Sequence, residues 1–295
     1  MSHEGRSYVF LGTPAAAATV LGHLLDNGVD IAHVVTRPDA KRGRGSALSP
    51  SPVKELALRH GVETSHDLEW VRNNASRGLT GLVVAYGRII PSDILEVVPM
   101  VNIHFSLLPR WRGAAPVERA ILAGDPTTGV CVMRIEPTLD TGAVYARREV
   151  AITDESTTAS LTAELAEAGA QLLLGCLRGG LGEPEPQTGE VTHAAKISRD
   201  ELRIDWTQPA VEIHRRVRAV RAHTEIDGTR LRVVAASFAS VDDAAMLPGE
   251  FSPGGVVATG HGALRLVRVQ PEGRAEMDAG AWLRGRPSGG SRRFS

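Results

Sequence analysis

The sequence predicts an α/β protein: a doubly wound, mostly parallel sheet followed by a small barrel or sandwich of short strands at the C-terminal end. Three observations predict it. Short apolar runs alternate with helix-forming stretches through the first part of the chain, the pattern of repeated β-α-β units. A stretch rich in glycine, proline and glutamate, with no apolar period, then interrupts the pattern. Short β-type runs separated by glycine-rich turns occupy the remainder, as in a small barrel or sandwich. The expected division is a first domain over 1–185, a linker over 186–203 and a second domain over 204–295.

The chain opens with an apolar run, Tyr8 to Leu11, that ends at Gly12-Thr13-Pro14 and leads into an alanine- and leucine-rich helix closed near Gly28. Ile31 to Val35 is the next strand. Only one glycine sits in the first turn, so the dinucleotide-binding fingerprint is absent and a nicotinamide cofactor is not expected. From Thr36 to Pro52 the chain has no apolar period and carries Arg37, Lys41, Arg42 and Arg44 among glycine, serine and proline. Composition alone favours a solvated basic loop there, with a phosphate-contacting arm as the alternative.

Val53 to His60 reads as a helix stopped by Gly61. Leu79 to Ala85 is nearly continuous apolar sequence, as a strand buried on both faces requires. A short helix begins at Pro91, and Val101 to Phe105 is the following strand. A helix over Pro116 to Ala123 starts on proline and stops at Gly124. Strands are expected at Val130 to Ile135 and Val144 to Ile152, then a long helix at Ser156 to Leu177. The basic helix Pro209 to Ala222 and strands at Arg230 to Ala235, Gly255 to Ala258 and Ala263 to Val269 complete the second domain.

With 42% hydrophobic and 23% charged residues and a net charge of -1, the composition is that of a soluble globular protein. No apolar run approaches the roughly 20 residues of a membrane span, and Met1 to Arg6 lacks a signal-peptide core, so a cytoplasmic location and no membrane partner are expected. The two cysteines, Cys131 and Cys176, fall in a strand and a helix and are expected to be buried free thiols. No metal-ligand spacing is present, and His193 and His214 stand alone. Arginine supplies 30 of the 33 basic residues, and its forked guanidinium suits fixed contacts with phosphate.

The chemistry concentrates between Val101 and Pro116. Residues two apart in a strand share a face, so Asn102 and His104 project together while Ile103 and Phe105 face the other way. Pro109 ends that strand, and ligands of open α/β sheets bind beyond the carboxyl ends of the strands. Asp140 sits in the turn after another strand, on the same expected edge. An amide, an imidazole and a carboxylate without an activated serine or cysteine point to direct transfer to an external nucleophile. The first two would stabilise an oxyanion and Asp140 would take or position the proton. Asp140-Thr141-Gly142 is also the aspartic-protease triplet, but the chain has one copy in an α/β pattern and lacks the second carboxylate.

These stretches resemble a known family. Gly12-Thr13-Pro14, Arg42-Gly43-Arg44-Gly45, Pro50-Ser51-Pro52-Val53, Val83-Val84-Ala85-Tyr86-Gly87, Asn102-Ile103-His104, the run Ser106 to Pro116 and Leu139-Asp140-Thr141-Gly142 are similar to motifs of the folate-dependent formyltransferases. The resemblance continues through Lys196-Ile197 and Ile204-Asp205-Trp206. It implies a Rossmann-like catalytic domain followed by a small, open, OB-like β-barrel, and an enzyme in which 10-formyltetrahydrofolate gives its formyl group to an amine, with Asn102, His104 and Asp140 as the catalytic trio and no metal. It further implies that Ser106, Leu107, Leu108 and Pro109, with Arg88, Ile89 and Ile90, line the folate site. Among family members the resemblance is strongest to those that formylate initiator methionyl-tRNA. In that reading Arg37, Lys41, Arg42 and Arg44 contact the tRNA and the protein is a monomer. Three departures, at Ser46-Ala47-Leu48, Arg218 to Thr224 and Gly273 to Glu276, remove charge or shape from surfaces expected to meet tRNA. They keep open an alternative acceptor, a small-molecule amine such as an amino sugar or hydroxyornithine.

Overall fold

The computed structural model describes residues 7–41, 48–240, 246–287 and 289–295. It contains two compact units. Residues of 1–116, 127–151 and 159–194 form the first, and residues of 117–126, 152–158 and 195–295 form the second.

In chain order the first unit carries β1 (Tyr8–Gly12), α1 (Ala15–Asp26), β2 (Ile31–Val35), β3 (Ala40–Lys41), β4 (Leu48–Ser49), α2 (Pro52–Arg59), β5 (Thr64–Ser65), α3 (Glu69–Asn74), β6 (Thr80–Val84), α4 (Ser92–Leu95), β7 (Met100–His104) and β8 (Arg112–Gly113). Helix α5 (Pro116–Ala123) begins at its boundary. Strands β9 (Thr127–Arg134) and β10 (Val144–Ala151), nearly all of α6 (Thr158–Arg178) and β11 (His193–Ala194) complete it.

Seven strands form one sheet in the order β10-β9-β7-β6-β1-β2-β5. The five strands from β5 to β7 are parallel, while β9 runs antiparallel to β7 and β10 antiparallel to β9. The mostly parallel sheet is therefore present, with an antiparallel hairpin at one edge, as mixed α/β sheets often have. The apolar runs that predicted buried strands are buried: Val9, Phe10, Leu11, Leu82 and Val84 expose no surface. Pairing sets Gly12 against Val84 and Val84 against Ile103, so the carboxyl ends of β1, β6 and β7 finish level. The chain order reverses between β1 and β6, and a crevice at such a reversal is where open α/β sheets bind ligands.

Close approaches explain two glycines. A Cβ at Gly12 would stand 2.8 Å from the Val84 carbonyl and from the Ala17 Cβ, so only glycine lets β1 turn directly into α1. A Cβ at Gly169 would stand 2.9 Å from Ile103 Cγ2 and 3.1 Å from Val130 Cγ2. Helix α6 thus lies tight against the sheet face that holds Ile103, leaving the opposite face to Asn102 and His104.

The second unit carries α7 (Ala210–Ala219), β12 (His223–Ile226), β13 (Thr229–Ala239), β14 (Val256–Ala258), β15 (Ala263–Pro271), β16 (Met277–Asp278) and α8 (Ala279–Arg284). Its strands pair antiparallel in the order β12-β13-β15-β14, with β16 added to β15. The pairing among the described residues is that of an open sheet, not a closed barrel. Ile204, Ile213, Val217, Leu264 and a stack of Trp206 on Phe294 fill its core, and the Trp206 indole N–H donates to Thr224 Oγ1. Strand β12 had not been expected. Its hairpin with β13 closes at Asp227-Gly228, where φ values of 48° and 72° match the left-handed turn that Asp-Gly favours.

Boundaries moved elsewhere. The Thr36–Pro52 segment contains the short β3–β4 hairpin, its base tied by a buried 2.8 Å contact between the Thr36 and Ser51 hydroxyls. Arg42 and Arg44 lie outside the described residues. The long helix starts at Thr158 because Ser156 Oγ instead accepts from the Thr153 amide. Cys131 is buried as expected, whereas Cys176 is partly exposed.

One ion pair tests the packing of the second unit. Glu201 accepts from the Arg119 guanidinium, with 3.2 Å between Nη2 and Oε2, and from the Ser198 amide at 2.9 Å. The Arg119 hydrogen bond, with that from Ser198, lowers the Glu201 carboxyl from 4.5 to about 2. A depressed folded-state pKa contributes stability above the unfolded value and loses it as pH falls through the folded value. Because the pair is a third exposed on the carboxylate side, its contribution is on the order of 1 kcal/mol. Replacing Glu201 with Gln is expected to lower the thermal unfolding midpoint by about 2–4 °C at pH 7. At pH 2 the substitution should have nearly no effect; equal losses at both pH values in circular-dichroism melts would contradict this origin of the stability.

Candidate active site

Strand β7 delivers Asn102 and His104 to the level carboxyl edge of the sheet. Cross-strand register pairs Asn102 with Met133 and His104 with Cys131, which puts the apolar side chains of β9 beneath the polar pair. The chain then folds back over that face. Leu108 packs with Cys131, Met133 and Val144, and a Cβ at Gly129 would stand 2.5 Å from Leu107 Cδ2. Gly129 is thus the gap that receives Leu107.

Past the turn, the backbone reaches Trp111 in a left-handed conformation, φ 63°. That conformation aims the Trp111 carbonyl at His104, whose Nε2 lies 2.9 Å away. A carbonyl only accepts, so Nε2 carries the hydrogen and the lone pair of a neutral ring falls on Nδ1. Nδ1 faces Asp140 Oδ2 at 3.7 Å, and both groups are largely buried. The same Oδ2 accepts the Gly113 amide at 2.8 Å. Nδ1 is thus the ring nitrogen turned toward the carboxylate, at a separation longer than a hydrogen bond.

Asp140 reaches this position from the hairpin between β9 and β10, about 35 residues beyond His104 in the chain, as the sheet topology allows. The backbone of Asp140 is itself left-handed, φ 52°. Two residues on, a Cβ at Gly142 would overlap the Arg134 carbonyl oxygen at 1.9 Å. Glycine is required there for the two arms of the hairpin to close, which accounts for the last residue of the Asp-Thr-Gly motif.

Two side chains of the types that serve as covalent nucleophiles, Cys131 and Ser106, are placed otherwise. Cys131, opposite His104, has no exposed surface, and burial raises its thiol pKa, keeping it protonated. The Ser106 hydroxyl is buried and donates to the Arg110 carbonyl at 2.6 Å. Of the three residues expected to act together, the structure brings His104 and Asp140 to 3.7 Å and holds Asn102 two residues before His104 on β7.

The two ring nitrogens of His104 face different neighbours, the Trp111 carbonyl at 2.9 Å and Asp140 Oδ2 at 3.7 Å.

Of the residues expected around a folate ring, Ser106, Leu108 and Pro109 are buried and offer framework more than surface. Residues 85–90, after β6, lie in neither helix nor strand, and Ile89 is 88% exposed. An exposed apolar side chain on backbone outside the sheet ladder suits a flat, hydrogen-bonding ring. The Arg88 guanidinium turns away to the His66 carbonyl at 2.8 Å. Arg37 donates to the Gly87 carbonyl at 2.9 Å and so braces this segment; a Cβ at Gly87 would stand 2.7 Å from its Nη2. Lys41 is exposed on β3.

Sequence reasoning missed the supports from the end of the first unit. Thr192 Oγ1 accepts the Trp111 amide at 2.9 Å, and β11 pairs with β8 alongside Arg112 and Gly113. Gln187 bridges the Asp140 turn and Arg112. The recurrence of single polar residues in an otherwise aperiodic segment was the available signal.

Residues 6–177 match the formyl transferase family and residues 196–287 match the formyl transferase C-terminal domain. A methionyl-tRNA formyltransferase of Methylobacterium sp. (strain 4-46) is 44% identical over 300 residues, covering 94% of this chain and 96% of that protein. That of Methylococcus capsulatus is 42% identical, covering 96% of this chain and 98% of that protein. Among solved structures, an N-formyltransferase from Helicobacter canadensis, in complex with folinic acid and dTDP-3-aminofucose, superposes with a TM-score of 0.66 at 18% identity, covering 90% of this chain and 99% of that chain. On the extent of the family match and the full-length identity, the chain belongs to the formyl transferase family.

Proposed function

We propose that this protein transfers the formyl group of 10-formyltetrahydrofolate to the amino group of initiator methionyl-tRNA. The observation that carries the chemistry is the placement of Asp140 Oδ2 3.7 Å from His104 Nδ1 with no available covalent nucleophile beside them. The full-length relatives named for methionyl-tRNA support the acceptor. The bound donor supplies a formyl carbon open to attack by an amine. Asn102 donates its amide N–H to the oxygen that gains charge as the amine adds, in a site where burial strengthens such a bond. His104 Nδ1 accepts the proton that the attacking amine must lose, with Asp140 balancing the imidazolium; as the tetrahedral adduct collapses, the bond from the formyl carbon to the donor nitrogen breaks, and the proton passes to that nitrogen as tetrahydrofolate leaves. Residues 88–90 and the turn at 106–109 hold the donor, the latter chiefly through its backbone.

Lys41, Arg42 and Arg44, with Arg37 at the base of the same arm, meet acceptor-stem phosphates in this reading. The protein acts as a monomer in the cytoplasm, with a catalytic domain over 1–185, a connecting segment over 186–203 and a second domain over 204–295.

Three outcomes are expected. Replacing Asn102 with Ala should lower kcat by about 100-fold, the usual effect of removing one oxyanion donor, with donor KM little changed. Asp140→Asn should abolish transfer while folate binding, followed by fluorescence quenching, persists; unchanged turnover would refute the proton-handling role. In a side-by-side assay, formylation of initiator methionyl-tRNA should fall steeply between about 50 and 200 mM salt and exceed that of free amino sugars or hydroxyornithine. Turnover confined to a free amine would transfer the reading to the small-molecule branch of the family.

A further inference from the structure

Gln187 uses both ends of its amide on the candidate active site. Its Nε2 donates to the Asp140 carbonyl at 2.9 Å and to the Gly142 carbonyl at 2.8 Å. Its Oε1 accepts from Arg112 Nε at 3.0 Å and Nη2 at 2.6 Å. A primary amide has two N–H donors and one carbonyl with two lone pairs, so these four bonds use its full capacity. Gln187 touches neither the imidazole nor the carboxylate.

The two carbonyls it holds flank the turn that carries the Asp140 side chain. Asp140 occupies left-handed backbone, which a non-glycine residue leaves readily unless held. Within the turn, Thr141 Oγ1 bonds the Thr138 carbonyl, which closes the loop but does not fix Asp140 toward His104. The carboxylate has one bond to a backbone amide, from Gly113, and Gly113 is next to Arg112, the residue held by the other end of Gln187. One side chain therefore sets both the turn bearing the carboxylate and the strand bearing its amide donor.

We infer that Gln187 is a positioning residue that holds the Asp140 carboxylate at His104 Nδ1. The inference rests on the proposed proton-handling role of Asp140. A displacement of about 1 Å at a reacting group lowers turnover by up to about 100-fold.

The test uses the full-length protein and two independent readings. Replacing Gln187 with Ala is expected to lower kcat by about 10- to 100-fold with both KM values nearly unchanged. Gln187→Glu keeps an acceptor for Arg112 but has no N–H for the turn, so it should behave as the alanine variant does. Full activity in Gln187→Glu would show that the Arg112 contact alone suffices and would overturn the inference. Amide hydrogen exchange at Gly113, read by NMR without substrate, should accelerate in the Ala and Glu variants at unchanged global stability; unaltered protection would also overturn it. If the wild-type protein fails to formylate methionyl-tRNA, the proposed function fails, while exchange at Gly113 still decides the positioning role.

Discussion

An aspartate held in left-handed backbone beside a histidine is the constraint on which the rest of the site depends. Left to itself such a residue relaxes to the right-handed or extended basin, at a gain of about 1–2 kcal/mol. Here it is caught from three directions. The Gly113 amide grips the carboxylate, Gln187 grips the carbonyl, and Gly142 lets the hairpin close against the Arg134 carbonyl. Each grip comes from a different stretch of chain, and the sheet brings those stretches together. Strand β9 runs antiparallel to β7, so the β9–β10 hairpin opens opposite Met100 and Val101, and its loop carries Asp140 to His104.

The electrostatics follow from the same arrangement. A carboxylate with little exposure is costly to desolvate unless hydrogen-bonded or paired, and Asp140 has an amide donor and an imidazole neighbour. His104 turns Nε2 to a carbonyl, which leaves Nδ1 as the ring nitrogen facing Asp140. Trp111 can present that carbonyl only from a left-handed conformation, and the Thr192 hydroxyl on its amide keeps it there. Strained backbone at Trp111 and at Asp140 thus serves one purpose from opposite sides of the ring. It is the kind of local strain that persists where surrounding structure over-determines it.

Much of this was legible in the sequence because local rules wrote it. Period-two alternation places Asn102 and His104 on one face, continuous apolar runs mark the buried strands, and the broken pattern after Pro109 marks the edge. The short glycine motifs were visible, but their reasons were not: Gly129 makes room for Leu107 and Gly142 for a carbonyl, and both partners are distant in sequence or belong to the backbone. The supports at Gln187 and Thr192 escaped for the same cause. Hydrogen bonds to main-chain carbonyls and amides leave no pairwise signature in residue types, and the segment carrying them reads as a linker by composition. The Asp227-Gly228 hairpin is a different case, since its turn signal is local.

The chemistry and the choice of acceptor are separable in physical terms. Every group in the His104–Asp140 arrangement belongs to the first unit and is fixed by contacts within it. The fold that holds them is shared, at 18% identity, by an enzyme whose bound ligand is a sugar nucleotide. The proposed choice of acceptor rests on a different surface, the basic segment between Thr36 and Pro52. Its base is fixed by the buried Thr36–Ser51 contact and by Lys54 on Asp39, while Arg37 reaches from it to the segment after β6. One guanidinium thus ties the base of that segment to the backbone at Gly87.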